Sequence, residues 1–132
     1  YTQEKDKLID ELKITEGQEP YRNSRDKKYL AVYEGQPYML DEFGGIPWMA
    51  ATDRNNSWGY GGMPKDEEAF YQRLEGQIDA LIASKHVCGF CYTQLTDVEQ
   101  EKNGVYYYDR RPKLDMKRIK AIFEKIPSRP AK

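Results

Sequence analysis

A chain of 132 residues and 15.5 kDa has the length of one domain, but 39% hydrophobic residues against 33% charged, at a mean hydropathy of −0.92, leave little material for a self-contained core. Its 21 basic and 22 acidic residues are intermixed to a net charge of −1, so no basic face or polybasic run invites nucleic acid or an anionic membrane. No apolar stretch nears the roughly 18 residues a bilayer span needs, and the chain opens at Tyr1 with neither initiator Met nor signal peptide, so it reads as an excised piece of a longer protein.

In chain order, Lys5 to Lys13 is a short amphipathic helix with Leu8, Ile9 and Leu12 on one face. Thr15 to Lys28 is polar and rich in turn formers, with a further short helical piece expected near Lys27 to Tyr33. Pro37 to Glu42 reads as a buried strand that delivers the carboxylate Glu42 straight into the pair Gly44-Gly45. A carboxylate at the carboxyl end of a strand lies where parallel α/β folds place their chemistry, and two glycines let the chain turn sharply beside it. A long loop runs from Phe43 to Pro64. Asp66 to Ser84 is the clearest helix, with Phe70, Leu74, Ile78, Leu81 and Ile82 at four- and three-residue spacing and acidic residues at its positive end. Val87 to Tyr92 is a second strand, Thr93 to Gly104 a loop, and Val105 to Tyr108 an extended, packed segment. A last helix follows the break at Arg111-Pro112-Lys113, capped by Asp115 and apolar through Ile119, Ile122, Phe123 and Ile126.

The pair Cys88 and Cys91, just after the only histidine, His86, invites a redox or zinc reading. In a strand, residues three apart face opposite sides and lie about 10 Å apart, beyond the roughly 7 Å reach of a disulfide. A second pair of metal ligands is absent, so buried free thiols are expected and no metal or cofactor. The long loop carries Trp48, Trp58 and Tyr60 among Asp53, Arg54, Asn55 and Asn56. Long loops in compact domains are usually functional or disordered, and aromatic rings beside amide side chains suit sugars, whose CH faces stack while hydroxyls take hydrogen bonds. Equally, the two tryptophans can serve to pin the loop.

Both strands are continuously apolar rather than alternating, the mark of a parallel sheet covered on both sides. Two parallel strands leave open edges, so the chain describes part of a larger α/β sheet, and a barrel fragment fits best.

The runs Tyr38-Met39-Leu40-Asp41-Glu42-Phe43-Gly44-Gly45, Ser57-Trp58-Gly59-Tyr60-Gly61, Gly89 through Glu101, Asn103-Gly104-Val105 and Asp109-Arg110-Arg111-Pro112-Lys113 together resemble the end of the catalytic barrel of family 2 glycoside hydrolases, the β-galactosidase, β-glucuronidase and β-mannosidase relatives. The resemblance covers nearly the whole chain. It implies a (β/α)₈ TIM barrel of which Pro37–Glu42 is strand seven and Val87–Tyr92 strand eight, with Glu42 as the catalytic nucleophile and Trp48, Trp58, Tyr60, Gln94 and Asp97 against a carbohydrate substrate. The family's acid/base comes from an Asn-Glu pair on strand four, and no Asn-Glu dipeptide occurs here, so half of the active site belongs to the rest of the barrel. The fragment is expected to be inactive alone and to self-associate or to bind its complement. Thr93 stands where many relatives carry a tryptophan, and Glu101-Lys102-Asn103-Gly104 lacks the Asn-x-Lys signature of glucuronidases, which favours neutral sugars. Two other classes compete: a non-catalytic carbohydrate-binding module built on the tryptophan loop, and a thiol or metal protein centred on Cys88 and Cys91.

Overall fold

The computed structural model describes residues 1–18 and 32–125. In chain order it comprises α1 (Lys5–Glu11), β1 (Tyr38–Gly44), a 3-10 turn (Ala51–Asn56), α2 (Glu67–Ala83), β2 (Val87–Thr93) and α3 (Met116–Phe123). The class is mixed α/β. β1 and β2 pair in parallel, and α2 forms the crossover between them, as a parallel pair requires.

The helix α2 is set by its ends as much as by its stripe. Asp66 accepts a hydrogen bond from the Ala69 amide at 2.7 Å, satisfying one of the orphan donors of the first turn. Phe70, Leu74 and Ile78 are fully buried along one face and Leu81 nearly so, which makes this helix the spine of the core. Gly76 interrupts a helix that alanine would favour by about 1 kcal/mol. Its reward is proximity: a Cβ there would stand 3.3 Å from the Lys5 Cβ, so its absence lets α1 pack close. α1 is shorter than its pattern suggests because nothing caps its first turn by side chain, while Leu12 already leaves helical geometry at its end. Leu8, Leu12 and Ile14 are nonetheless buried.

Asp115 caps α3 through the Lys117 and Arg118 amides. Arg118 then reaches the amino end of α2, holding Glu68 by two bonds of 2.6 and 2.8 Å and lying 4.0 Å over the Tyr71 ring, whose hydroxyl accepts from the Asp115 amide at 2.8 Å. On the outer side, Asp79 of α2 takes Lys5 of α1 at 3.0 Å and Lys125, just past the end of α3, at 2.6 Å.

The sheet register is broken twice. Tyr38 pairs with Val87 but Met39 with Gly89, and Leu40 pairs with Phe90 but Phe43 with Tyr92. The first break leaves Cys88 as the extra residue of β2; the second leaves three steps of β1 against two of β2 and loosens Asp41 and Glu42 from strict pairing. Bulges of this kind re-aim side chains.

Four expectations need correction or bounding. Cys88 and Cys91 are free thiols, but exposed rather than buried, because Cys88 sits in a bulge and the described helices cover the sheet incompletely. For the same reason the strands are not enclosed on both sides: Met39 is 57% exposed. Val105–Tyr108 makes no strand. Its segment is joined only by bridges from Tyr106 to Thr96 and Pro112, with Val105 buried and Tyr108 exposed, because Pro112 has no amide to extend a ladder. The helical piece near Lys27 to Tyr33, apart from Val32 and Tyr33, and the contribution of Ile126 lie outside the described residues. Among the described residues no helix is long and apolar enough to cross a membrane.

Candidate active site

Glu42 is exposed at the carboxyl end of β1, immediately before the buried Phe43. The chain then turns through Gly44 at φ 90° and Gly45 at φ 66°, left-handed conformations that favour glycine. Space makes the same demand. A Cβ on Gly44 would lie 2.3 Å from the Tyr92 ring, and one on Gly45 would lie 2.2 Å from the Tyr60 ring. The turn is fastened to the neighbouring strand end by the Gly45 amide on the Thr93 carbonyl at 2.7 Å, and to the long loop by the Tyr60 amide on the Gly45 carbonyl at 2.8 Å.

The second bond places the Tyr60 ring against the turn that follows the carboxylate. Tyr1 stacks on that ring with centroids 3.5 Å apart and planes 3° from parallel, and Trp58 meets it edge-on at 5.6 Å and 87°. The three rings form a continuous aromatic wall leading away from Glu42. The Tyr1 hydroxyl points at Glu42 and Tyr60; burial pushes its pKa well up, and hydrogen bonding and charge from Glu42 and Tyr60 push it further. It therefore stays protonated and serves as a donor toward the carboxylate. Tyr1 itself is held by its neighbours in sequence. Gln3 donates to the Gly44 carbonyl at 2.9 Å, and the fully buried Gln77 of α2 donates to the Thr2 carbonyl at 3.0 Å.

Two hollows flank this wall. A cleft of about 290 Å³ runs along β1 between Tyr1, Leu8, Leu12, Leu40 and Glu42. A shallower groove of about 450 Å³ lies beyond Trp58, between Pro47, Met49, Arg54 and Met63.

Of the residues expected at the site, Tyr60 and Trp58 stand in one aromatic row that Tyr1 joins to Glu42, with Trp58 49% exposed. Trp48 turns the other way: half-buried, it packs edge-on against Phe70 at 5.9 Å and pins the loop to the core. Gln94 follows Thr93 at the end of β2, with its carbonyl accepting from the Val105 amide at 3.2 Å and its side-chain amide nitrogen buried without a partner among the described residues. Asp97 is a correction. It is 1% exposed, its Oδ1 accepts from the Lys113 ammonium at 2.5 Å and from the Gly104 amide at 3.1 Å, and it organises its loop where no sugar can reach it. Tyr1 is the site residue the sequence reading missed. It lies 41 positions from Glu42, and the only local signal was an aromatic next to the polar pair Thr2-Gln3. Among the described residues no group of three or more His, Cys, Asp or Glu side chains could hold a metal ion.

The chain matches no protein-family model and no curated protein.

Proposed function

We propose that this chain is the nucleophile-bearing end of a retaining β-glycosidase barrel of the family 2 type, with β1 and β2 as its seventh and eighth strands. The observation that carries the reading is Glu42, at the carboxyl end of a parallel strand, faced by a phenol donor and beside an aromatic wall. The resemblance in sequence and the parallel strand–helix–strand order support it further.

The chemistry follows from the geometry. A nucleophilic carboxylate must be ionised to attack the anomeric carbon. The Tyr1 hydroxyl, itself reluctant to lose its proton, faces that carboxylate as a donor. The resulting glycosyl ester is then hydrolysed by water with the help of a second carboxyl group about 5–5.5 Å from the first, which also protonates the leaving oxygen. That partner belongs to the rest of the barrel, which would also pair the two open edges of the sheet. Tyr60 and Trp58 offer flat apolar faces for sugar rings, and the absence of the Asn-x-Lys signature favours neutral sugars.

The test uses the intact parent protein. A mechanism-based fluorosugar should label Glu42 and no other carboxylate, and Glu42→Gln should abolish both labelling and turnover with the fold retained. Labelling at Asp41, or retained turnover without Glu42, would overturn the assignment. The 132-residue chain alone should hydrolyse no aryl β-glycoside, since losing general acid catalysis alone costs about 10²–10⁴-fold. The exposure of Trp58 favours one other reading, a binding module without catalysis. Sugar affinity in a parent that shows no turnover and no labelling would establish that instead.

A further inference from the structure

Lys113 and Asp97 form the most deeply enclosed ion pair among the described residues, with side-chain exposures of 0% and 1%. The Lys113 ammonium has three donors, and three acceptors from two loops surround it. They are Asp97 Oδ1 at 2.5 Å, the Trp48 carbonyl at 2.7 Å and the Lys102 carbonyl at 3.3 Å. Lys102 is in turn a two-sided backbone clamp. Its carbonyl also accepts from the Trp48 amide at 2.9 Å, and its amide donates to the Trp58 carbonyl at 2.9 Å, while the Trp58 amide donates to Gln100 at 2.9 Å. Asp97 is braced from its far side by the Gly104 amide. A Cβ on Gly104 would fall 2.3 Å from the Asp97 backbone nitrogen, so the loop closes only with glycine there.

Trp58 has little else to hold it. Its ring is half exposed and meets Tyr60 only by an edge, so its place is set chiefly through its backbone. A buried ion pair is a poor device for stability, since an apolar pair of similar volume commonly does as well. What an ammonium supplies is direction, because it gathers oxygen atoms from two loops around one point.

We infer that Lys113 is a positioning residue for the sugar site: its ammonium fixes Lys102, and through Lys102 it sets the place of Trp58 at the far end of the aromatic wall that starts at Glu42. The inference rests on the glycosidase reading for its kinetic consequence, but not for its structural one.

The experiment removes both charges at once, Lys113→Met with Asp97→Asn, so that neither is left buried alone. In the intact parent enzyme, KM for an aryl β-glycoside should rise about tenfold, the order expected for losing part of an indole contact, with kcat within about twofold. The same change should add nothing to KM in a Trp58→Ala background. In the 132-residue chain carrying Trp48→Phe, so that Trp58 is the sole tryptophan, acrylamide quenching should increase while far-ultraviolet circular dichroism is unchanged. A lower melting temperature with KM and quenching unaltered would overturn the inference and leave Lys113 a structural pin. Should the neutral pair not fold, Lys102→Pro carries the test, because it deletes the amide given to Trp58 and keeps the ion pair. Unchanged quenching and KM in that variant would equally overturn the inference. If Glu42→Gln left turnover intact, the glycosidase reading would fail while the quenching result still decided the role of Lys113.

Discussion

The helical layer and the loop cluster of this molecule are held by different forces. In the helical layer, Phe70, Leu74, Ile78 and Leu81 bury apolar surface against Phe43, Ile119 and Ile122, so many weak contacts share the load. In the loop cluster, the wall of Tyr1, Tyr60 and Trp58 is placed by individual hydrogen bonds from Gln3, Gln77, Gly45 and Lys102 to named carbonyls. Apolar burial is roughly proportional to area and indifferent to direction, whereas a backbone hydrogen bond fixes one atom relative to another. The first kind of region gives stability; the second gives the site its geometry.

That contrast can be broken or sharpened by substitution. Phe70→Ala should have the largest effect on stability, about 4 kcal/mol, since the ring is fully buried and meets both Trp48 and Tyr71. Equilibrium denaturation measures it, and a loss below about 1 kcal/mol would show that the helical layer is not the load-bearer. Gly45→Ala should cost about 2 kcal/mol from the left-handed backbone and from the Tyr60 ring it displaces. Near-ultraviolet circular dichroism should change with it, because the tyrosine stack moves.

Asp79 tests the electrostatic seam between the helices. Burial pushes its carboxyl up, but the Lys125 and Lys5 ammonium groups outweigh that and hold it below the ordinary carboxylate range. A depressed folded-state pKa means that the contribution is full above the unfolded value of about 3.9 and is lost as pH falls through the folded one. Wild type should therefore lose more stability than Asp79→Asn between about pH 5 and pH 2, by under 1 kcal/mol given the partial exposure of all three partners. Parallel acid curves would remove the seam from the account. Trp58→Ala should have the smallest effect on stability, within about 0.5 kcal/mol, while weakening sugar binding in the parent by roughly 1–3 kcal/mol. A large loss of stability would mean that Trp58 belongs to the core.

Much of the helical layer was legible in the sequence. The spacing of Phe70, Leu74, Ile78 and Leu81 and the caps Asp66 and Asp115 are local signals, and the helices formed where those signals stood. The two parallel strands were legible as apolar runs, and Glu42 as a carboxylate delivered into two glycines. The placement of Tyr1, the burial of Asp97 and the exposure of the thiols were not. Each depends on a partner far along the chain: Glu42 for Tyr1, Lys113 for Asp97, the register of β1 for Cys88. A polar side chain in a loop reads the same whether it will meet solvent, a sugar or a buried ammonium. Only the tertiary hydrogen-bond pattern separates Asp97, which is sealed, from Glu42, which is open.

The irregularity in β1 also changes the parity of the strand. Side chains alternate faces along a regular strand, so Leu40 and Phe43, three apart, would point to opposite sides. Here both pack against the same core, Leu40 partly and Phe43 almost wholly buried, because Asp41 and Glu42 together take the place of one residue. One position in this stretch is therefore supernumerary to the fold. Deleting Asp41 would restore plain alternation and keep Leu40 and Phe43 facing the core. The chain would keep its architecture, so the extra residue is a demand of neither the core nor the pairing with β2.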